Sequence, residues 1–177
     1  MISPGDCQRI REAYRAGGGD ATRLFQAVLD AAGEGGLDEA LTCLEQCVTE
    51  KRAAWMASHA DSAARSGDPV QDGFRLFYEG YLGLCIPRDG EIVEAGSRRI
   101  VSRWWNRCPT LEACQKFGLD TREVCRRAYQ QPVEDMLRRI DPRLRFRRNY
   151  AVLRPHQAWC EEIIELEEEE GANQGKT

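Results

Sequence analysis

Residues 99–110, RIVSRWWNRCPT, decide how the second half of the chain folds. Every second residue from Ile100 to Cys108 falls on one side of an extended chain, which is typical of a β-strand with one buried face. Pro109 stops the strand because it has no N–H for the next ladder bond. Thr110 is a favourable N-cap, so the sequence predicts that a short helix starts there.

The residues that follow predict a run of three helices. Gly118 is suited to end the first of them, and Asp120 with Glu123 three residues later resembles a capping box that starts the second. Cys125 lies in this second helix. Pro132 suits the first turn of a new helix, so we expect the chain to break just before it.

Two more strands are expected after the turn at 141–142. Alternate residues of the segment 144–152 share one face of the first strand, and Arg148 is among them. The second strand runs from about 158 to 166 and carries Cys160 near its start. If these strands pair as a meander, the strand ends that bear cysteines meet at one edge of the sheet.

The first half of the chain shows helical periodicity instead. Asp20 is a plausible N-cap for a helix that ends in the glycine-rich loop 33–36. Apolar residues recur at helical spacing from Leu37 to His59, and an aromatic stripe predicts a further helix over 69–84. Helices before strands, with no alternation between them, predict an antiparallel sheet.

The predicted fold class is therefore α+β, with a helical N-terminal half followed by a small antiparallel sheet with helices packed on it. We divide the chain into a helical N-terminal region at 1–90 and a cysteine-bearing α+β unit at 91–166. The two are expected to pack together as one domain, because 177 residues with 42% hydrophobic content suit one sizeable core. The acidic tail at 167–177 is expected to be disordered.

Composition and charge narrow the class of protein. No apolar run reaches the roughly 18–20 residues that cross a bilayer, and the first residues lack the features of a secretion signal, so a cytoplasmic protein without membrane contact is expected. The net charge of −4 conceals a basic segment, residues 98–154, with 15 Arg or Lys against 6 Asp or Glu. Because the rest of the chain is acidic, a nucleic-acid partner is not expected.

The cytoplasm is a reducing compartment, so the eight cysteines are not expected to form a disulfide framework. Cys43 and Cys47 share a helix face and are interpreted as small core residues. Four others lie in the C-terminal half, three of them near the ends of predicted elements; the four are Cys108, Cys114, Cys125 and Cys160. Soft metals select thiolate ligands, so this set predicts zinc or an iron–sulfur cluster, with buried inert thiols as the alternative.

Several short motifs of this half occur in a recognisable order: Asn106-Arg107-Cys108-Pro109, Gly118-Leu119, Cys125, Asp141-Pro142 before a strand, and Cys160 before the last strand. In this order they resemble the L-2-amino-thiazoline-4-carboxylic acid hydrolase family and, more distantly, the 4-vinyl reductase-type small-molecule-binding domains. The resemblance covers about 65 residues of the 177. It implies an α+β fold and the opening of a sulfur-containing ring by water.

The same resemblance implies that Cys108, Cys125 and Cys160 are catalytic, while Cys114 matches no part of the family pattern. The chain departs from the pattern before its last cysteine, where Ala158-Trp159 replaces a Gly-Asp or similar pair.

Other residues were assigned from their own chemistry. Arg148 is a candidate carboxylate clamp, although an ion pair with Glu162 is an equally good interpretation. His156 is a candidate base or ligand contact in an exposed turn, and Trp104 and Asn106 are candidate pocket residues. Cys108, directly before a helix start and beside basic residues, is expected to have a low thiol pKa or to bind metal.

Three functions remain open at this point. The first is a small hydrolase that acts on an anionic or sulfur-bearing molecule through Cys108, Cys125 and Cys160. The second is a non-catalytic metal-binding or ligand-sensing domain built on four cysteines, and the third is a helical interaction protein with inert thiols. The expected partner is a small-molecule ligand, and a homodimer is left open.

Overall fold

The computed structural model describes residues 2–17, 21–59 and 66–167, which form helices and one four-stranded sheet. The helices are α1 (Pro4–Ala16), α2 (Thr22–Gly35), α3 (Leu37–His59), α4 (Pro69–Phe74), α5 (Pro109–Phe117), α6 (Thr121–Val124) and α7 (Gln131–Arg138). Two π-helical segments continue them: the first π segment (Arg75–Tyr81) follows α4, and the second π segment (Cys125–Gln130) joins α6 to α7. The strands are β1 (Gly90–Ala95), β2 (Arg99–Trp104), β3 (Leu144–Asn149) and β4 (Cys160–Leu166). The predicted α+β class, with helices preceding an antiparallel sheet, is confirmed.

The strand order is β1-β2-β4-β3, and every neighbouring pair is antiparallel. The last strand thus lies between β2 and β3, so the sheet is not a meander in sequence order. Trp104 of β2 pairs with Cys160, the first residue of β4. Asn149, the last residue of β3, pairs with Glu161. One end of the sheet therefore gathers the ends of β2 and β3 and the start of β4.

Strand β2 is shorter than the sequence predicts, because it ends at Trp104 rather than at Cys108. Cys108 has extended backbone angles and is itself the N-cap of α5, with Pro109 in the first turn. The prediction of Thr110 as the cap was wrong, because proline is well tolerated at the first helical position, where no N–H is needed. Gly118 ends α5 in the left-handed conformation, as expected.

The helix break expected before Pro132 was wrong as well. Thr121 to Arg138 is continuous, since Gln130 and Gln131 keep right-handed helical angles where the second π segment meets α7. Pro132 lies in the first turn of α7. The change of hydrogen-bond pattern at this junction accommodates a residue that has no N–H to donate.

Helix α1 was missed by the sequence interpretation. Ser3 and Asp6 form a reciprocal capping box at its start, and Pro4 occupies the first helical position. A disulfide joins Cys7 of α1 to Cys43 of α3, with Cα atoms 5.7 Å apart. Cys43 and Cys47 are buried in the core, as predicted, but the expectation that the cysteines form no disulfide was wrong for Cys43, because without α1 there was no reason to place Cys7 opposite it.

The helical half and the cysteine-bearing unit share their apolar interior. Helices α1, α2 and α3 form one buried cluster that also takes in Ala113, Cys114, Val124 and Ala128 from the second half. A second cluster lies between the sheet and the helices around Phe77 and Leu137. Helix α3 spans exactly the predicted range, whereas the residue proposed as the cap of α2, Asp20, lies outside the described residues.

The basic segment at 98–154 is largely neutralised by acidic residues brought to it by the fold. Ion pairs link the arginines of β2 and β3 to acidic residues of neighbouring strands: Arg99–Glu94, Arg103–Glu91, Arg103–Glu161, Arg145–Glu167 and Arg147–Glu165. Arginines that contribute to the positive charge of this segment are thus paired with acidic residues across strands, on one face of the sheet.

Two further sequence predictions concern membrane-spanning helices and the C-terminal tail. In the part of the chain that the structure describes, no helix combines the length and the apolar character needed to cross a membrane. Of the tail expected to be disordered, only Glu167 is described, and its N–H donates to the carbonyl of Arg143. Residues 168–177 lie outside the described residues.

Candidate functional site

The end of the sheet where β2 stops and β4 starts is the candidate site. After Trp104 the chain leaves the sheet and reaches Cys108 at the start of α5. Cys160 begins β4 beside Trp104. The prediction that Cys108 and Cys160 lie at one end of the sheet therefore agrees with the strand register.

Four free thiols interact electrostatically around this end: Cys108, Cys114, Cys125 and Cys160. We call these four residues the thiol cluster. Cys125 begins the second π segment, and Cys114 is fully buried in α5. The tertiary structure therefore brings together the cysteines on which the sequence analysis placed the chemistry, including Cys114, which has no counterpart in the family pattern.

Burial governs the protonation of these thiols. It raises the pKa of Cys114 and of Cys125 to about 12 in each case, and the neighbouring thiols add to the effect. It also raises the pKa of Cys108, although the N–H groups of Leu111 and Thr110 and the charge of Arg154 oppose the shift. The expectation of a low pKa for Cys108 was wrong, because desolvation outweighs a helix start that makes no regular cap bond to its sulfur.

The fit of the cluster to a metal can be tested on its geometry. Across residues 2–17, 21–59 and 66–167, no three His, Cys, Asp or Glu side chains form a group that could hold a metal ion. The thiol cluster in this arrangement therefore does not fit zinc or an iron–sulfur cluster.

Arg148 is buried, but its charge is already neutralised. Its Nε donates to Oε1 of Glu162 over 2.7 Å, and the hydroxyl of Tyr78 donates to Oε2 over 2.8 Å. Although burial opposes the charged form, Glu162 and then Cys125 raise the pKa of Arg148 above its ordinary value. The alternative interpretation, an ion pair with Glu162, is the one observed, so Arg148 has no free carboxylate-binding fork.

A different arginine offers a donor at the site. Nη1 of Arg154 donates to the carbonyl of Asn106 over 2.7 Å, and its charge acts on Cys108. The Nε of Arg154 and the indole Nε1 of Trp159 are buried, and the part of the chain that the structure describes offers neither of them a hydrogen-bond acceptor. Because a buried donor without an acceptor is costly, these two groups in the loop before Cys160 favour the binding of an acceptor such as a carboxylate. The sequence analysis missed Arg154, although the turn that contains it was noted for His156.

The remaining predicted site residues take separate places. Trp104 is 3% exposed in the core, and its indole N–H donates to Ser102. Its ring stacks on that of Tyr78, so Trp104 contributes to core packing at this end of the sheet. Asn106 adjoins the site through Arg154, as described. His156 is exposed, with Nε2 3.9 Å from Asp120 Oδ1, and no described contact joins it to the thiol cluster.

The described residues thus place two buried donors without acceptors, on Arg154 and Trp159, in the loop before Cys160. Cys125, which interacts electrostatically with Cys108, begins the second π segment. Departures from α-helical geometry of this kind occur often at functional sites. Comparisons with protein-family models, with curated proteins and with solved structures found no match to this chain.

Proposed function

We propose that this protein is a small hydrolase that opens a sulfur-containing heterocycle bearing a carboxylate, with Cys108 as the nucleophile. The observation that carries the proposal is the interaction of Cys108 with Arg154, whose buried Nε has no acceptor. The resemblance of the Cys108, Cys125 and Cys160 motifs to the thiazoline hydrolases supplies the substrate class. A carboxylate on Arg154 Nε would satisfy the unpaired donor and hold the ring near the sulfur.

The protonated state of Cys108 suits an addition in which the thiol brings its own proton. Its sulfur forms a bond to the ring carbon of the C=N group, and the ring nitrogen takes the released electron pair and the thiol proton. The bond from this carbon to the ring nitrogen then breaks, and the nitrogen takes a second proton from the exocyclic amino group. Water adds to the remaining C=N group and displaces the sulfur of Cys108, which regains its proton. The net change is one water added and one ring bond broken.

Turnover of L-2-amino-thiazoline-4-carboxylate by protein purified without oxygen tests the proposal. Mass spectrometry should show a product heavier than the substrate by one water. Cys108→Ala should abolish turnover. Arg154→Gln should raise KM by on the order of 10–100-fold, because a charge-assisted hydrogen bond contributes about 1.5–3 kcal/mol.

Cys85→Ala is the matched control, because Cys85 is a free, exposed cysteine that does not interact with the thiol cluster in the described residues. It should leave kcat and KM unchanged. Absence of turnover in the wild type, or full turnover by Cys108→Ala, would contradict the proposed function.

A second candidate function rests on the electrostatic interaction of Cys125 with the other three thiols of the cluster. A non-catalytic metal-binding domain would use Cys108, Cys114, Cys125 and Cys160 to hold zinc or an iron–sulfur cluster, after the side chains move closer together. Elemental analysis of the same oxygen-free protein separates the two functions. About one zinc per chain, or a brown colour with absorbance near 400 nm, would favour the metal-binding domain.

A further inference from the structure

A buried arginine without a carboxylate partner lies between the helical half and the cysteine-bearing unit. Arg52, on α3, is 6% exposed. Its Nη1 donates to the carbonyl of Tyr129 over 3.3 Å, and its Nε has no hydrogen-bond partner among the described residues. Across the described ranges, no Asp or Glu forms an ion pair with it. Arg52 therefore carries its charge into the interior, where its acceptors are the carbonyl of Tyr129 and the hydroxyl of Tyr81.

Residues of both π segments contact this guanidinium. From the first, the rings of Phe77 and Tyr81 have their centroids 5.4 and 5.6 Å from Cζ of Arg52. From the second comes the accepting carbonyl of Tyr129. The nearby hydroxyls of Tyr14 and Tyr81 interact electrostatically with the same charge. In the described residues these contacts place two aromatic rings and a backbone carbonyl, rather than a carboxylate, against the guanidinium.

These contacts do not compensate for burial of the charge. A desolvated cation–π contact contributes about 2 kcal/mol, whereas burial of an unpaired ion costs several kcal/mol. Burial accordingly lowers the pKa of Arg52, and the neighbouring cation Arg148 lowers it further. Arg148 is paired with Glu162, so of these two buried arginines only Arg52 lacks a carboxylate partner among the described residues.

We propose that Arg52 anchors a buried binding site for a small carboxylate, separate from the thiol cluster, where α3 meets the two π segments. The free Nε and the adjacent Nη2 present parallel N–H groups that match the two oxygens of a carboxylate. The carboxylate neutralises the single charge from the edge of the guanidinium, while the rings of Phe77 and Tyr81 stay against its faces.

Thermal unfolding with defined anions tests this site. The wild type is compared in chloride, acetate, benzoate and phosphate at one pH and one ionic strength. Acetate or benzoate at tenfold above its dissociation constant should raise the Tm by about 3–6 °C relative to chloride. Arg52→Met should lose this gain while its Tm in chloride stays equal to or above that of the wild type, since an unpaired charge has been removed.

Arg127→Met is the matched control, since it also removes one positive charge, but from an exposed arginine 3.3 Å from Asp38. It should retain the full carboxylate gain, which separates binding from general effects of anions on protein surfaces. If Arg52→Met does not fold, Arg52→Lys replaces it, because an ammonium keeps the charge without the fork and should lose most of the gain.

Three results would overturn the proposal: no gain with either carboxylate, an equal gain in Arg52→Met or Arg52→Lys, or a gain with phosphate alone. The readout is stability, so failure here leaves the proposed hydrolase function untouched. Failure of the turnover experiment at Cys108 likewise leaves the carboxylate site at Arg52 testable.

Discussion

Nε of Arg148 lies 2.7 Å from Oε1 of Glu162 on the neighbouring strand, and both side chains are about nine-tenths buried. Tyr78 donates to the second carboxylate oxygen, and the carbonyl of Cys125 accepts from Nη1 of Arg148 over 3.4 Å. The pair thus connects the core face of the sheet to the second π segment, directly beside the thiol cluster. Its energetic role is structural, because each charge has a fixed opposite charge inside the fold.

Removing one partner of this pair should strongly destabilise the protein. Glu162→Gln leaves Arg148 as a buried cation without its carboxylate, and the loss is expected to be about 3–5 kcal/mol in the free energy of unfolding. Urea unfolding followed by circular dichroism measures it. The control is Glu165→Gln, which breaks the more exposed pair with Arg147 on the same two strands and should cost about 0–1 kcal/mol. Equal losses would show that burial does not matter here.

The disulfide between Cys7 and Cys43 should contribute measurably to stability. It closes a loop with a sequence separation of 36 residues and joins α1 to α3. Replacing both residues by serine is expected to lower the free energy of unfolding by about 2–4 kcal/mol, and to make urea unfolding insensitive to dithiothreitol. Cys47→Ala, one turn further along α3, should remain sensitive. A wild type that does not respond to the reductant would contradict this.

The buried thiol of Cys125 should make stability fall at alkaline pH. Burial raises its pKa in the folded state to about 12, against the ordinary value of 9.0. The unfolded chain therefore loses the thiol proton first, and the stabilisation, fully present below pH 9, is lost as the pH rises towards 12. Comparing urea unfolding at several pH values should give a steeper decline for the wild type than for Cys125→Ala, by about 1 kcal/mol per pH unit. Parallel declines would contradict a buried protonated thiol; exposed Cys85→Ala is the control.

Gly90 should tolerate no side chain. A Cβ at this position would lie 2.4 Å from the carbonyl oxygen of Arg103 and 2.5 Å from the ring of Trp104. Gly90→Ala is expected to push β1 away from β2 and to cost about 1–3 kcal/mol, which lowers the Tm by several degrees. Gly96→Ala is the matched control, because the only contact there is an ordinary one of 3.5 Å. A Tm loss as large in the control would indicate a general effect of alanine in this hairpin.

Periodicity in the sequence was sufficient to predict the elements whose patterns are local. Helix α3 was predicted from Leu37 to His59, and the segment β4 from its alternating residues, because burial of one face imposes a period on the chain itself. The boundaries failed where two local signals competed. Pro109 and Thr110 both suit a helix start, and only the conformation of Cys108 decides between them. Pro132 indicated a break that the second π segment makes unnecessary.

The sequence by itself determined the fold class, the extent of the longest helix and the set of cysteines at element ends, because these follow from spacing along one chain. Only the tertiary structure decided which side chains are partners. It paired Glu162 with Arg148 and Cys7 with Cys43, and left Arg52 without an acidic partner among the described residues, since ion pairing, disulfide formation and desolvation depend on distances between residues far apart in sequence. The same holds for Cys108, whose neighbours along the chain favour a thiolate, whereas burial among distant elements keeps it protonated.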